Sequence, residues 1–546
     1  MGKLKAERCE GVPRNWPPQP SGEAQYHRDV LRDHCSVQGE DGLLHLNLDL
    51  WVDKFSSLNF FNPGVRLFYI DRNWELRSRL IAVRQFNPTS EMLESGHLFA
   101  LLEEYLTTVF EEFNLDVNMM FSTTSDAGSD VRRLCDILLL GPWEWCVCHM
   151  LNCALVKALG THVDPEKSAN PAARKVVVVV KKAVDHIRKS PRAKAFFKEE
   201  QVRHYSECSY HKLVNAAPQQ WCSVCSVLEA VIVNRTAIDG VYGKEGKDNP
   251  LTAYVDEIEE LYSLIKPVAD LIVTCQQTHI PTGQAAVLGL VALKLSTFNV
   301  DSALDILTPA RKLAQGGAAG AGGGEQKASS APKAHVDLTQ VAHDARKHLS
   351  SAVNKRWFNK RYDLPAIENT DFVFDTQMVL DLTTVELQYV DKLASTVEYA
   401  ATVKKAVTSK VIGLAVELAK TEAQRTKDRG GGQGSPAAKW ARSVAAGSMH
   451  SMFRQPGNKK KAATTSKYVS LGIFKMGGGP AAPPTIEESV RAELFTLRGL
   501  AVGTLTAELS CEGVVMWWKK WKSSYPLLSR AACGVRSSSV VGGARA

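Results

Sequence analysis

The chain has 546 residues, of which 45% are hydrophobic and 23% charged, and a formal net charge of +8. That composition fits an ordinary globular protein of about two to four domains and argues against a disordered or fibrous chain. No run of about eighteen uncharged apolar residues occurs, so no membrane-spanning helix is expected.

The opening "MGKLKAERCEGVPRNWPPQP" has no apolar h-region, and Ala6 stands where a myristoylation signal carries Ser or Thr. The 12 cysteines are spread along the whole chain, which fits free thiols in a reducing compartment. Residues 1–40 show no periodic pattern and are read as a segment with little order.

From residue 41 the pattern becomes that of strands. "LLHLNLDLWV" alternates leucine with polar residues, the period of a half-buried strand. "VRLFYID" and "ELRSRLIAVRQF" follow as two more strands about a turn at Arg72, Asn73 and Trp74. "SGHLFALLEEYLTTVFEEFN" then places Leu98, Leu101, Leu102, Tyr105 and Val109 at helical spacing. "VNMMFST" reads as a fourth strand and "SDVRRLCDILLL" as a helix. Residues 41–165 are therefore expected to form an α/β unit whose sheet has antiparallel and parallel parts.

Residues 166–427 are expected to be helical. The run Val176–Val180 has strand propensity, but its Lys/Arg flanks and the helical spacing after it favour a helix. The Gly/Ala-rich stretch 314–334 reads as a loop, and residues 428–484 as a flexible basic linker. Residues 485–546 form the last segment.

Charge is uneven. From Lys439 to Ala546 there are 16 Lys/Arg against 5 Glu, and from Arg174 to Lys212 there are 11 Lys/Arg against 4 acids. Such clustering suits a phosphate backbone, which Lys and Arg bind with release of counterions. Arg174, Lys175, Lys181, Lys182, Arg188 and Lys189 are the candidate contacts. A solvated helix face is the plainer alternative.

Two carboxylates draw attention. Asp49 lies in the first strand and Asp126 at the end of the fourth. If those strands are neighbours, the two acids come within bridging reach of a Mg²⁺ or Mn²⁺ ion. The competing reading makes Asp49 a hydrogen-bonded strand residue and Asp126 a helix cap. The pairs Cys146/His149, Cys208/His211 and Cys222/Cys225 have zinc-ligand spacing. Cysteines in apolar helices are more often inert core, and zinc is not expected.

These motifs stand in an order that resembles the catalytic half of hAT-superfamily transposases, the hobo and Activator type of cut-and-paste DNA transposon. "LNLDLWVD" and "VRLFYIDRNWELRSRLI" match the family's first motif through Asp49, Trp51, Ile70, Asp71, Trp74, Leu76, Ser78 and Leu80. "TSDAGSDVRRL" and "CVCHMLNCAL" match the second, the latter with Cys146 and His149. "QWCSVCSVLEA" matches the third, with Trp221 and Ser223 kept and Gln220 in place of Arg. "VVMWWKKWKSSYPLLSRAACGV" looks like the C-terminal dimerisation segment, with Trp517, Trp518, Pro526, Leu527 and Leu528.

The resemblance implies an RNase H-like α/β fold interrupted by a large all-helical insertion, and a DDE-type mechanism in which Asp49 and Asp126 are the first two metal-binding acids. It implies DNA as partner, a homodimer or higher oligomer, a nuclear location, and a base-stacking role for Trp221. The family's third acid is a Glu in a run like "S-S-A-x-x-E-R-x-F-S". "SRAACGVRSSSVVGGARA" offers none, so the expectation is a derivative that has lost cleavage, or an active enzyme if that Glu lies beyond this chain. Mg²⁺ or Mn²⁺ would be the cofactor of an active form. A non-enzymatic protein-interaction scaffold is the alternative from another class.

Overall fold

The computed structural model describes residues 44–53, 60–83 except 72, 97–138 except 114 and 127, 142–205 except 163, 211–215, 222–309, 329–362, 372–428, 484–503 and 511–537, together with Asp29. The segment 1–40 apart from Asp29, Cys208, Trp221 and nearly all of 428–484 lie outside them.

The first part is a five-stranded mixed sheet. Strands β1 (Leu44–Asp53), β2 (Phe60–Ile70) and β3 (Leu76–Val83) form an antiparallel meander. Its last turn is organised by buried Asp71, whose carboxylate accepts from Asn73 N at 2.8 Å, Glu75 N at 3.0 Å and Arg77 Nε at 2.7 Å. An aspartate taking its own downstream amides is the usual chemistry of such a turn, and it holds Trp74 at a φ of 64°. Helix α1 (His97–Phe113) carries the chain back to β4 (Met120–Ser125), which lies parallel beside β1 with Leu48 paired to Ser125. Helix α2 (Ser129–Ile137) leads to a three-residue edge strand β5 (Trp143–Trp145), parallel to β4. The order is β3-β2-β1-β4-β5, so the expected β1–β4 adjacency is found.

Strand alternation divides the sheet. Leu44, Leu46, Leu48, Val65, Leu67 and Tyr69 pack against Leu102, Tyr105, Leu106 and Val109 of α1 and Val131 and Leu134 of α2. Burial of each such side chain contributes about 1.5–3 kcal/mol. On the opposite face Phe68, Ile70 and Leu76 meet residues far along the chain, Val515 and Cys533.

The second part is helical: α3 (Val147–Ala158), α4 (Pro171–Lys189), α5 (Pro191–His204), α6 (Ser223–Val233), α7 (Arg235–Glu245), α8 (Val255–Cys275), α9 (Gly283–Leu295), α10 (Gln340–Val353), α11 (Val373–Val379), α12 (Gln388–Leu393) and α13 (Val397–Asp428). The valine run resolves as helix. Asn170 caps α4 by accepting from Ala173 N at 3.0 Å, Pro171 opens the helix, and Val176, Val177, Val180, Ala183, Val184 and Ile187 form its buried stripe. Three and four residue steps put that stripe on one side, which a strand would split between two faces.

One expectation for this region is corrected. Residues 166–427 are not wholly helical, because β6 (Leu304–Thr308) and β7 (Ser329–Lys333) pair antiparallel. The end of the stretch read as a Gly/Ala-rich loop is thus a strand. Polar contacts with α8 hold it there: Leu307 N donates to Ser263 Oγ at 2.8 Å and Lys333 Nζ to Glu260 Oε1 at 2.7 Å.

The last helices, α14 (Ile486–Gly503), α15 (Cys511–Trp521) and α16 (Pro526–Ser537), join the two parts. Val515 and Cys533 touch the sheet, while Trp518, 1% exposed, donates its Nε1–H to Leu380 O at 2.9 Å in the helical part. Arg536, also buried, reaches Asp381 at 3.3 Å. Among the described residues no helix is long and apolar enough to cross a membrane.

Candidate nucleic-acid site at the strand ends

The face of β1 opposite its leucines presents His45, Asn47 and Asp49 in succession. His45 is fully buried and held at both ring nitrogens, with Ser122 Oγ 2.8 Å from Nδ1 and Thr124 Oγ1 3.0 Å from Nε2. Asn47 Nδ2 donates to Thr124 O at 3.3 Å. A polar file between two central strands is tolerable only with such partners. It ends where Asp49 and Asp126 each stand one residue beyond the Leu48–Ser125 pair, on strands about 4.8 Å apart.

The two predicted acids thus follow one register pair on neighbouring strands, and both are half-buried. Asp126 Oδ1 accepts from Gly128 N at 3.1 Å. The helix-cap alternative does not describe it, since the N-cap of α2 is Gly128 and carries no side-chain cap.

Strand β5 sets the neighbouring wall. Cys146 follows it, donates its amide to Ser125 O at 2.8 Å, and caps α3 by accepting from His149 N at 3.5 Å. The motif pair Cys146/His149 thus fixes the start of α3 beside Asp126. Burial pulls the His149 imidazole below its ordinary pKa, with the Asp126 charge opposing and that of Arg356 adding to the fall. Cys148 lies against Cys146 and Cys275, and burial pushes its thiol well up. Burial likewise raises Cys222 to about 12 and Cys225 further.

The two tryptophans of β5 each carry an arginine. Arg132 of α2 sits 5.1 Å from the Trp143 ring centre and Arg356 5.7 Å from that of Trp145. Glu144, between them in sequence, is buried and pairs with Arg361, whose Nη1 also reaches Asp375 Oδ2 at 2.8 Å. Tyr362 and Tyr389 donate to Asp375 Oδ1 at 2.6 and 2.7 Å, and Val373 N donates to Glu144 Oε1 at 3.1 Å. Sequence reasoning passed over Arg132, Glu144, Arg356 and Arg361. The run "NKRWFNKRY", which interleaves cations with aromatics from Asn354 to Tyr362, was the signal available for the last two.

The predicted DNA contacts on α4 separate into two kinds. Arg174 Nη1 is spent on Gly160 O at 2.9 Å and His162 O at 2.6 Å. Lys175 lies 5.7 Å from the Tyr254 ring centre and Lys189 pairs with Asp185 at 2.9 Å. Lys181 is half-buried, and burial lowers its pKa. Lys182 and Arg188 are exposed. Of the predicted dimer residues, Trp518 and Leu528 are buried in the chain's own core, while Trp517, Pro526 and Leu527 are partly exposed.

Whether the site suits a divalent ion turns on its donors. Among the described residues no group of three His, Cys, Asp or Glu side chains is placed to hold a metal. Asp49 and Asp126 would hold one Mg²⁺ or Mn²⁺ with substrate oxygens and water completing the shell. No family model matches the chain, and no curated protein matches it.

Proposed function

We propose that the chain is a hAT-type transposase derivative with an RNase H-like sheet, which retains nucleic-acid binding and self-association and does not cleave strands. The observation that carries this reading is the order β3-β2-β1-β4-β5, with Asp49 and Asp126 closing the two central parallel strands. The return of α15 and α16 to the sheet after some 350 intervening residues supports a helical body inserted into one α/β unit. DNA binding is assigned to the acid pair's rim and the exposed cations of α4, and self-association to Trp517, Pro526 and Leu527. A nuclear location belongs to the same reading.

A second reading, a non-enzymatic interaction scaffold, draws support from α4, where Arg174, Lys175 and Lys189 already have partners within the chain. A salt titration separates the two. Anisotropy of a fluorescein-labelled random-sequence duplex, followed from about 50 to 200 mM salt, should show affinity falling by orders of magnitude. No binding near physiological salt would leave the scaffold. Nicking of supercoiled plasmid with Mn²⁺ should be absent, and nicking abolished by Asp126→Asn would show an active enzyme instead.

A further inference from the structure

The end of α15 and the turn after it read "WWKKWKSSY", aromatics interleaved with cations from Trp517 to Tyr525. Trp518 and Tyr525 are buried and anchor the stretch. Trp517 and Trp521 stand one helical turn apart and are half-buried. Their rings stack with planes at 26° and centres 5.8 Å apart. Trp517 in turn lies 5.0 Å from the Trp518 ring centre and 6.0 Å from that of Tyr525. The Trp521 indole is thus held in a fixed orientation by a chain of rings that leads into the core. Helix α15 packs on the sheet face that carries His45, Asn47 and Asp49, since Val515 meets Phe68, the register partner of His45.

The charges around the rings have one sign. Lys520 Nζ lies 5.6 Å from the Trp521 ring centre, and Lys520 and Lys522 are both exposed. Lys519 donates to Asn73 O at 2.9 Å. Among the described residues none of the three lysines pairs with a carboxylate, and from Gly513 to Ala546 the sequence has no Asp or Glu. Glu75, two residues past Asn73, is paired with Arg77, and Glu493 is buried. A partner that completes this surface needs a flat π-face for the indole and negative charge for the lysines. A nucleobase with its phosphates offers both. We propose that Trp521, with Lys520 and Lys522, is a stacking platform for a base of single-stranded nucleic acid. The base lies against the indole in place of the Lys520 ammonium, and Lys520 and Lys522 take the flanking phosphates. This rests on the proposed nucleic-acid reading, which it deepens by naming a surface for an unpaired strand. It uses neither the acid pair's rim nor α4.

The test uses the full chain and three fluorescein-labelled probes. These are oligo(dT) of about 15 nucleotides, an abasic strand of equal length, and the duplex above. Wild type should bind oligo(dT) about tenfold more tightly than the abasic strand, because only the first presents π-faces. Trp521→Ala should erase that preference and Trp521→Tyr should keep most of it. A merely structural Trp521 would move binding of both strands together. Lys520→Gln/Lys522→Gln, at exposed positions, should lower the oligo(dT) salt slope by about 1.4 and decides the question if Trp521→Ala fails to fold. Equal affinity of wild type for the two strands, a preference unchanged in Trp521→Ala, or an unchanged slope in the lysine variant overturns the platform. Duplex binding in the same assay then leaves the nucleic-acid reading standing. Wild type that binds none of the three probes overturns both. A fall from dimer to monomer in sedimentation of Trp521→Ala, with the base preference intact, would give the ring to a second copy of the chain and overturn the platform.

Discussion

Arg356 and Arg361 stand five residues apart on one short segment, and their surroundings are opposite. Arg361 is buried between Glu144 and Asp375, stacks 3.8 Å from the Trp357 ring centre, and sits in a network whose tyrosines donate to Asp375. Arg356 is half-buried, and its Nη1 has no hydrogen-bond partner among the described residues. The first arrangement is complete without any ligand and fastens edge strand β5 to the helical part. The second has one guanidinium nitrogen without a hydrogen-bond partner among the described residues. A buried charge completed in the first way is architecture.

The strongest way to break that comparison is to remove Arg361. Arg361→Met leaves Glu144 and Asp375 as uncompensated buried carboxylates, and should lower stability by about 3–5 kcal/mol. Urea denaturation followed by far-UV circular dichroism measures it. Adding Glu144→Gln and Asp375→Asn to that variant should recover part of the loss, since paired removal spares the desolvation of an orphaned charge. A loss below about 1 kcal/mol in Arg361→Met would mean that water already reaches the network and that its charges are not architecture.

Much of the sheet was readable because its strands alternate cleanly. Leu44, Leu46 and Leu48 announce a face, and the Asp49–Asp126 neighbourhood follows from connectivity alone. The motif "YIDRNW" was readable as well, though its chemistry is that of a turn built on Asp71. Strand β5 was not. Its three residues, Trp-Glu-Trp, are too few to display a period, and it is a strand only because β4 is there to pair with it. Strand β7, "SSAPK", sits in a low-complexity stretch and contains Pro332, which a two-stranded edge tolerates and a central strand would not. The Glu144–Arg361 pair spans 217 residues, and no local pattern encodes a contact of that reach. Arg356 lay in a legible basic and aromatic run, but which of its cations is answered and which is not depends on the fold.

Glu493 sharpens the comparison from between its two extremes. It is buried, and among the described residues its hydrogen-bond partners are backbone amides, Leu527 N at 3.4 Å and Leu528 N at 3.0 Å, at the start of α16. Burial pushes its carboxyl from 4.5 up to about 7, against those amides; its charge in turn adds to the burial that raises Tyr525 to about 12. The folded state therefore holds the proton more tightly than the unfolded chain does. The stability this contributes is fully present below about pH 4.5 and is lost as pH rises through about 7. A decline of about 3 kcal/mol across that window should appear in the stability read from denaturation, and Glu493→Gln should flatten it. An unchanged slope in the variant would assign the pH dependence elsewhere.

The smallest stability effects should fall on α4, where answered and unanswered cations share one helix. Lys182→Gln and Arg188→Gln remove exposed charges and should leave stability within about 0.5 kcal/mol of wild type. Each should still lower the duplex salt slope by about 1 if it meets a phosphate. Arg174→Gln should do the reverse. Its guanidinium holds the carbonyls of Gly160 and His162, the first of which also accepts from Ser168 Oγ at 3.0 Å, so its loss should cost about 1 kcal/mol and leave the slope alone. Paired measurements of melting and salt slope on the three variants place each cation on one side. If Arg174→Gln moved the slope as much as Lys182→Gln does, having a partner within the chain would not distinguish an architectural cation from a binding one.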